Sequence, residues 1–241
     1  MGGGVSEAGR PEAGMPQVGV PAAGVPQVGV PAAGPAEPGA VAPAMVVLGD
    51  SVAEGQDDPD PAGGWLGWAG RLARHLGIPR EEMLNASDPG ATIEDVVRDQ
   101  LPAVRALRPG LVVLGCGMND ALRGFERPAA AARLDELFGW AAGIGAVTLA
   151  IPVPRPPLLD LAPMSQFRKK RTVQRIHDFN EELGRAALDF GNSFPARESV
   201  AKVADPAMWS ADGIHLNPRG HAYVAEVIAG IARSLLAERV I

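Results

Sequence analysis

Three short apolar runs, bounded by turn residues and separated by helical patterns, constrain this chain more than any other feature. Ala44–Leu48 and Leu111–Leu114 are apolar at every position and Ala146–Ile151 at all but Thr148, which suits strands buried on both faces. Between and after them the apolar spacing is helical. Gly64–Gly77 carries Trp65, Leu66, Trp68, Ala69, Leu72, Ala73 and Leu76, with Gly77 placed to end the helix. Thr92 and Asp95 form a capping-box pattern that opens a helix through about Leu107. Pro128–Ile144 reads as a helix, and Ser165–Phe190 as a long amphipathic one with a break expected near Gly184. Asn217 followed by Pro218 reads as an N-cap and first helical residue, opening a last helix to about Glu238. Strands that alternate with helices predict an α/β domain with a mostly parallel sheet covered on both faces. Ligands in such sheets bind beyond the carboxyl ends of the strands. Gly49–Gly55 and Gly115–Asp120 each follow a strand directly, so both are expected at one rim.

This pattern occupies residues 44–241, and residues 1–43 are different. They are dominated by Gly, Pro, Ala and Val, and a ten-residue unit occurs twice, as Met15–Gly24 and Val25–Gly34. Closely spaced prolines remove amide donors, and the glycines raise the entropy cost of ordering. The segment is expected to be a disordered, partly polyproline-like tail, with docking to a partner as the alternative reading. The net charge of -6 gives no electrostatic reason to expect nucleic acid as a partner. Cys116 is the single cysteine, which excludes an intramolecular disulfide and any multi-cysteine metal site. The chain lacks an 18-residue apolar run and a basic-then-apolar start, so neither a membrane span nor a secretory signal is expected. The expected location is cytoplasmic, and the oligomeric state stays open.

Four segments carry residue types suited to chemistry. In Gly49-Asp50-Ser51-Val52 a serine leaves a strand and enters a helix, where backbone amides point toward developing negative charge. The same tripeptide is also common turn chemistry. In Gly115–Asp120, Asn119 offers an amide NH₂ that donates without titrating, while Asp120 suits a loop-fixing role. Cys116, flanked by glycines, reads as a small buried hydrophobe. In Asp212-Gly-Ile-His215 a carboxylate lies three residues before an imidazole, so it can hold one ring nitrogen while the other faces a nucleophile. His75, His177 and His221 fall in predicted helices with no such partner, and His221 reads as a packing or capping residue. Gly90, ahead of the Thr92 helix, can expose its amide to a ligand or simply make a turn.

Taken in order, the Gly-Asp-Ser, Gly-x-Asn-Asp and Asp-x-x-His elements resemble the SGNH hydrolases, also called GDSL-type lipases and esterases, over about residues 44–230. Val52 stands where the family name has Leu, a conservative apolar change. The resemblance implies a three-layer, flavodoxin-like α/β/α fold that works with neither metal nor cofactor on small-molecule esters. It further implies Ser51 as nucleophile, His215 as base and Asp212 as its orienter. The Ser51 amide, the Gly90 amide and the Asn119 side chain would form the oxyanion hole. An O-acyltransferase using the same residues and a non-catalytic binding module on the same fold are the competing readings. Pro152–Lys170, Pro-rich and then basic, reads equally as a mobile flap or a solvated loop, and Trp65 and Trp68 as pocket lining or a packed helix face.

Overall fold

The computed structural model describes residues 43–191 and 197–238; the proposed tail, apart from Pro43, lies outside them. Four parallel strands in the order β2-β1-β3-β4 form the sheet: β1 Met45–Gly49, β2 Met83–Asn85, β3 Leu111–Gly115 and β4 Val147–Ala150. The helices are α1 Ser51–Glu54, α2 Gly67–Leu76, α3 Ile93–Asp95, α4 Leu101–Val104, α5 Met118–Arg123, α6 Arg127–Gly143, α7 Leu158–Leu161, α8 Gln166–Asp189 and α9 Pro218–Ala237. The architecture is α/β/α, as expected.

Strand periodicity divides the core into two layers. Val46, Leu48, Val112 and Leu114 face one side, where they pack with Leu134, Phe138, Phe179 and Leu183 of α6 and α8. Met45, Val47, Leu111 and Val113 face the other, against Trp68 and Leu72 of α2 and Val224 and Ile228 of α9. Apolar residues at successive strand positions are required because neither face meets water.

Several elements depart from the sequence expectation. β2 was not foreseen: its three residues, Met-Leu-Asn, form too short a run to stand out, and pairing with β1 creates the strand. α2 begins at Gly67 and not Gly64, because Trp65 is drawn into an antiparallel bridge with Pro59 and the Leu66 amide bonds to the Asp58 carbonyl. α8 runs through Gly184 without a break. A glycine costs a helix about 1 kcal/mol, and the buried Phe179, Leu183, Ala186 and Ala187 around it outweigh that. The Thr92 capping box is present, but the helix it opens changes to a π turn over Val96–Gln100 and ends at Val104. Asn217 caps α9 through its side chain, accepting from the amides of Arg219 and Gly220, and Pro218 is the first helical residue. No described helix is long and apolar enough to cross a membrane.

Candidate active site

β1 delivers its last residue, Gly49, to the carboxyl edge of the sheet beside Gly115 of β3. Gly49 has φ 152°, and a Cβ there would stand 2.1 Å from the Gly115 carbonyl oxygen, so only glycine lets the two strand ends come this close. The Asp50 amide then donates to that same carbonyl at 3.1 Å. Asp50 caps α1 by accepting from the Val52 amide at 3.0 Å, which places Ser51 at the first helical position. The site sits at the rim that the parallel topology predicts.

Ser51 and His215, 164 residues apart, meet there: Oγ lies 2.8 Å from Nε2. On the far side of the ring, Nδ1 lies 2.5 Å from Oδ2 of Asp212. Asp212 Oδ1 accepts from the amides of Ile214 and His215. Burial raises the Asp212 pKa, but the Ile214 amide and the His215 ring outweigh it and hold the carboxyl below its usual value. An ionised carboxylate only accepts, so Nδ1 carries the imidazole proton and Nε2 is left to accept from the Ser51 hydroxyl.

The remaining candidates, Gly90 and Asn119, lie on adjoining segments. The Asp88 amide donates to the Gly49 carbonyl at 3.1 Å, and Asn119 Nδ2 donates to the Ala91 carbonyl at 3.1 Å. The Gly90 turn is therefore tied to the nucleophile strand on one side and to Asn119 on the other. Gly90 has φ 82°, and its carbonyl is held by Arg123 at 2.9 Å. Among the described residues the amides of Ser51 and Gly90 have no backbone acceptor. Asp120 accepts from the Ile93 amide, the loop-fixing role expected for it; burial pushes its carboxyl up to about 6 against the pull of that bond.

The family model for GDSL-like lipases and acylhydrolases matches residues 47–223, which contain every one of these groups. The chain belongs to the GDSL-like lipase/acylhydrolase family. No curated protein sequence matches it. Solved structures of similar fold include the lipase/acylhydrolase from Enterococcus faecalis, at 20% identity and TM-score 0.60 over 80% of this chain and 96% of that one. The psychrotrophic esterase EstA from Pseudoalteromonas sp. aligns at 18% identity and TM-score 0.60, over 80% and 98% of the two chains. Axe2, an acetylxylan esterase from Geobacillus stearothermophilus, aligns at 17% identity and TM-score 0.59, over 76% and 91%.

Within this GDSL-like domain the site has supports whose partners the sequence did not reveal, and one of them, Gln100, was not singled out at all. Gln100, on the π turn, is buried; its Oε1 accepts from the Gly49 amide at 2.9 Å and its Nε2 donates to the Gly49 carbonyl at 2.7 Å. It pairs with the last residue of β1 as a neighbouring strand would. The available signal was a polar residue at core spacing among Val96, Val97, Leu101 and Val104. His221 is fully buried: Nδ1 accepts from the Trp68 amide at 3.1 Å and Nε2 donates to the Gln56 carbonyl at 3.0 Å. Burial holds its pKa below the ordinary value. Asp50 is also buried, and desolvation pushes its carboxyl up to about 7 despite the Val52 and Ala53 amides. Cys116 is buried, and desolvation lifts its thiol pKa well above normal, in keeping with a packing role.

An apolar cavity of about 600 Å³, counted with its open mouth, is lined in part by the chain neighbours of Ser51 and His215: Asp50 and Val52, Ile214 and Leu216. Val52, Ile151, Pro152 and Ile214 line it and are partly exposed, whereas Trp68, Val203, Trp209 and Leu216 are buried lining residues. Trp68 thus packs in the core and lines the cavity at once. The start of the Pro152–Lys170 stretch is anchored. Val153 exchanges two hydrogen bonds with the Asn180 side chain, at 2.8 and 2.9 Å, and the Leu158 amide donates to the Gly213 carbonyl at 2.9 Å.

Proposed function

We propose that this chain is a serine esterase that hydrolyses carboxylic esters through an acyl-enzyme. The observation that carries the reading is the hydrogen-bonded series Ser51 Oγ, His215 Nε2, His215 Nδ1, Asp212 Oδ2, at 2.8 and 2.5 Å for its two contacts. In this reading His215 takes the Ser51 proton as Oγ attacks the ester carbonyl. Asp212 fixes the tautomer and stabilises the imidazolium. The amides of Ser51 and Gly90 and the Asn119 NH₂ receive the oxyanion of the tetrahedral intermediate. His215 then protonates the departing alcohol. Water, activated by the same imidazole, attacks the acyl-enzyme, and collapse of the second tetrahedral intermediate releases the acid and restores Ser51.

The apolar cavity supports an acyl group of some length as the part of the substrate held next to Ser51, since an aliphatic chain leaves water there without leaving polar groups unpaired. The test is covalent. A fluorophosphonate probe should label Ser51 in the wild type and fail on Ser51→Ala, and hydrolysis of p-nitrophenyl esters should fall by about 10⁶ in that variant. An unlabelled Ser51, or an unchanged rate in Ser51→Ala, would overturn the reading.

A further inference from the structure

Three aspartates follow α1 in the run Asp57-Asp58-Pro59-Asp60, and two of them are neutralised. Asp58 accepts two hydrogen bonds from Arg71, at 2.8 and 2.9 Å, and Asp60 pairs with Arg80 and with the Ala62 amide. Asp57 differs. Among the described residues no hydrogen bond or ion pair takes its carboxylate. Instead, one of its oxygens lies within 4.8 Å of both an Asp212 oxygen and a His215 ring nitrogen.

The position is imposed on Asp57 by its neighbours. The Gln56 amide donates to the Ser51 carbonyl at 3.0 Å, and the Gln56 carbonyl is held by buried His221. On the other side the Asp58 amide donates to the Gly55 carbonyl at 3.1 Å, and its carboxylate is gripped by Arg71. Between these two anchors Asp57 adopts φ 71°, the single non-glycine residue at positive φ among those described. That conformation costs of order 1 kcal/mol even for an aspartate, and its effect is to hold an unpaired, half-buried carboxylate beside the His215–Asp212 pair.

We propose that Asp57 is a positioning residue for the esterase reaction: a second carboxylate that favours the imidazolium His215 becomes when Ser51 gives up its proton. The inference rests on the reading of His215 as the base. Asp212 makes the direct contact and selects the tautomer. Asp57 makes none, so it adds charge without competing for the Nδ1 proton. Two unit charges about 5 Å apart, fully screened as in water, shift a protonation equilibrium roughly fourfold. Partial burial strengthens that. The other ionisable groups around the ring are Glu54 on α1, which also feels Asp88 of the β2–α3 loop, and His221 on α9, whose own charged neighbours are Asp58 and Arg71. Asp57 is the one among them placed against both the ring and Asp212.

The experiment compares kcat/KM against pH in the full chain carrying Asp57→Asn or Asp57→Gly. Both replacements tolerate positive φ, and glycine relieves the strain, so a purely conformational role predicts that Asp57→Gly matches or exceeds the wild type. The electrostatic role predicts that both variants move the acid limb of the profile down by about half a unit to one unit. It also predicts that added salt lowers the wild-type limb toward theirs. An acid limb that stays put in both variants while a fluorophosphonate still labels Ser51 overturns the role of Asp57 alone. Failure of labelling in the wild type overturns the esterase reading beneath it.

Discussion

Replacing Gln100 with leucine tests how the nucleophile strand is held. Gln100 is 5% exposed, and its amide satisfies both the N–H and the C=O of Gly49, two residues before Ser51. Leucine is close in size but offers neither group. The Gly49 carbonyl keeps its bond from the Asp88 amide at 3.1 Å, so its loss is partial. The Gly49 amide has no second acceptor and is left buried and unpaired, which costs about 1–3 kcal/mol. Losing the second bond adds about 1 kcal/mol, and burying leucine in place of an amide returns a similar amount. The net loss is therefore about 2 kcal/mol, or a fall in Tm of about 4–8 °C for a domain of this size. Thermal unfolding followed by circular dichroism measures it. Gln100→Glu sharpens the test. A carboxylate cannot donate to the Gly49 carbonyl and would be buried near Asp50, so at neutral pH it should destabilise more than leucine, with the gap narrowing on acidification. A Gln100→Leu protein within about 0.5 kcal/mol of the wild type, or a glutamate variant as stable as the parent at neutral pH, would refute the strand-pairing role.

Other consequences are checked as directly. Asn119→Ala should lower kcat by about 10² to 10³ with KM little changed, because the oxyanion forms only as the reaction proceeds; steady-state kinetics on a p-nitrophenyl ester decides. His221 is buried and its folded pKa is depressed, so the stability it contributes is complete above its unfolded pKa of about 6.5 and is lost as pH falls below it. Asp50 and Asp120, with raised pKa values, act in the opposite sense, gaining stability on acidification. The His221 effect is therefore read as the difference between wild type and His221→Gln in urea midpoints across pH 5–8: the wild type should lose its advantage toward the acid end. Trp209, fixed by its indole N–H on the Val203 carbonyl at 2.6 Å, lines the buried part of the cavity. Trp209→Leu should move the ester chain-length optimum upward, each added CH₂ being worth up to about 0.8 kcal/mol, or roughly fourfold in kcat/KM, until the enlarged space is filled. A chain-length series in both proteins measures the shift.

The residues proposed to do chemistry were legible because each sits in a short block where a strand ends or a helix begins. Gly49–Val52, Gly117–Asp120 and Asp212–His215 each declare a turn, and three apolar runs told which edge of the sheet those turns share. What holds the blocks in place was not legible, because those contacts span the chain. Gln100 reaches back 51 residues to Gly49, and His221 reaches 165 residues to Gln56. Asp57 is one of three aspartates in its run, and only the pairing of the other two with Arg71 and Arg80 sets it apart. β2 has no pattern of its own and exists because β1 offers it an edge, and Gly184 stays helical because the packing of α8 exceeds its local cost. Even so, the supports leave a trace of a definite kind. Gln100 is a polar side chain in a position the helical period reserves for the core, and His221 lies one turn into a helix whose buried face includes Val224, Ala225 and Ile228. A buried polar side chain must find a partner, and where sheet and helices are already paired, the backbone groups still in need of one are those at strand exits and helix starts. Those are the places where parallel α/β folds put their chemistry. A polar residue at core spacing is therefore itself a pointer toward the active rim.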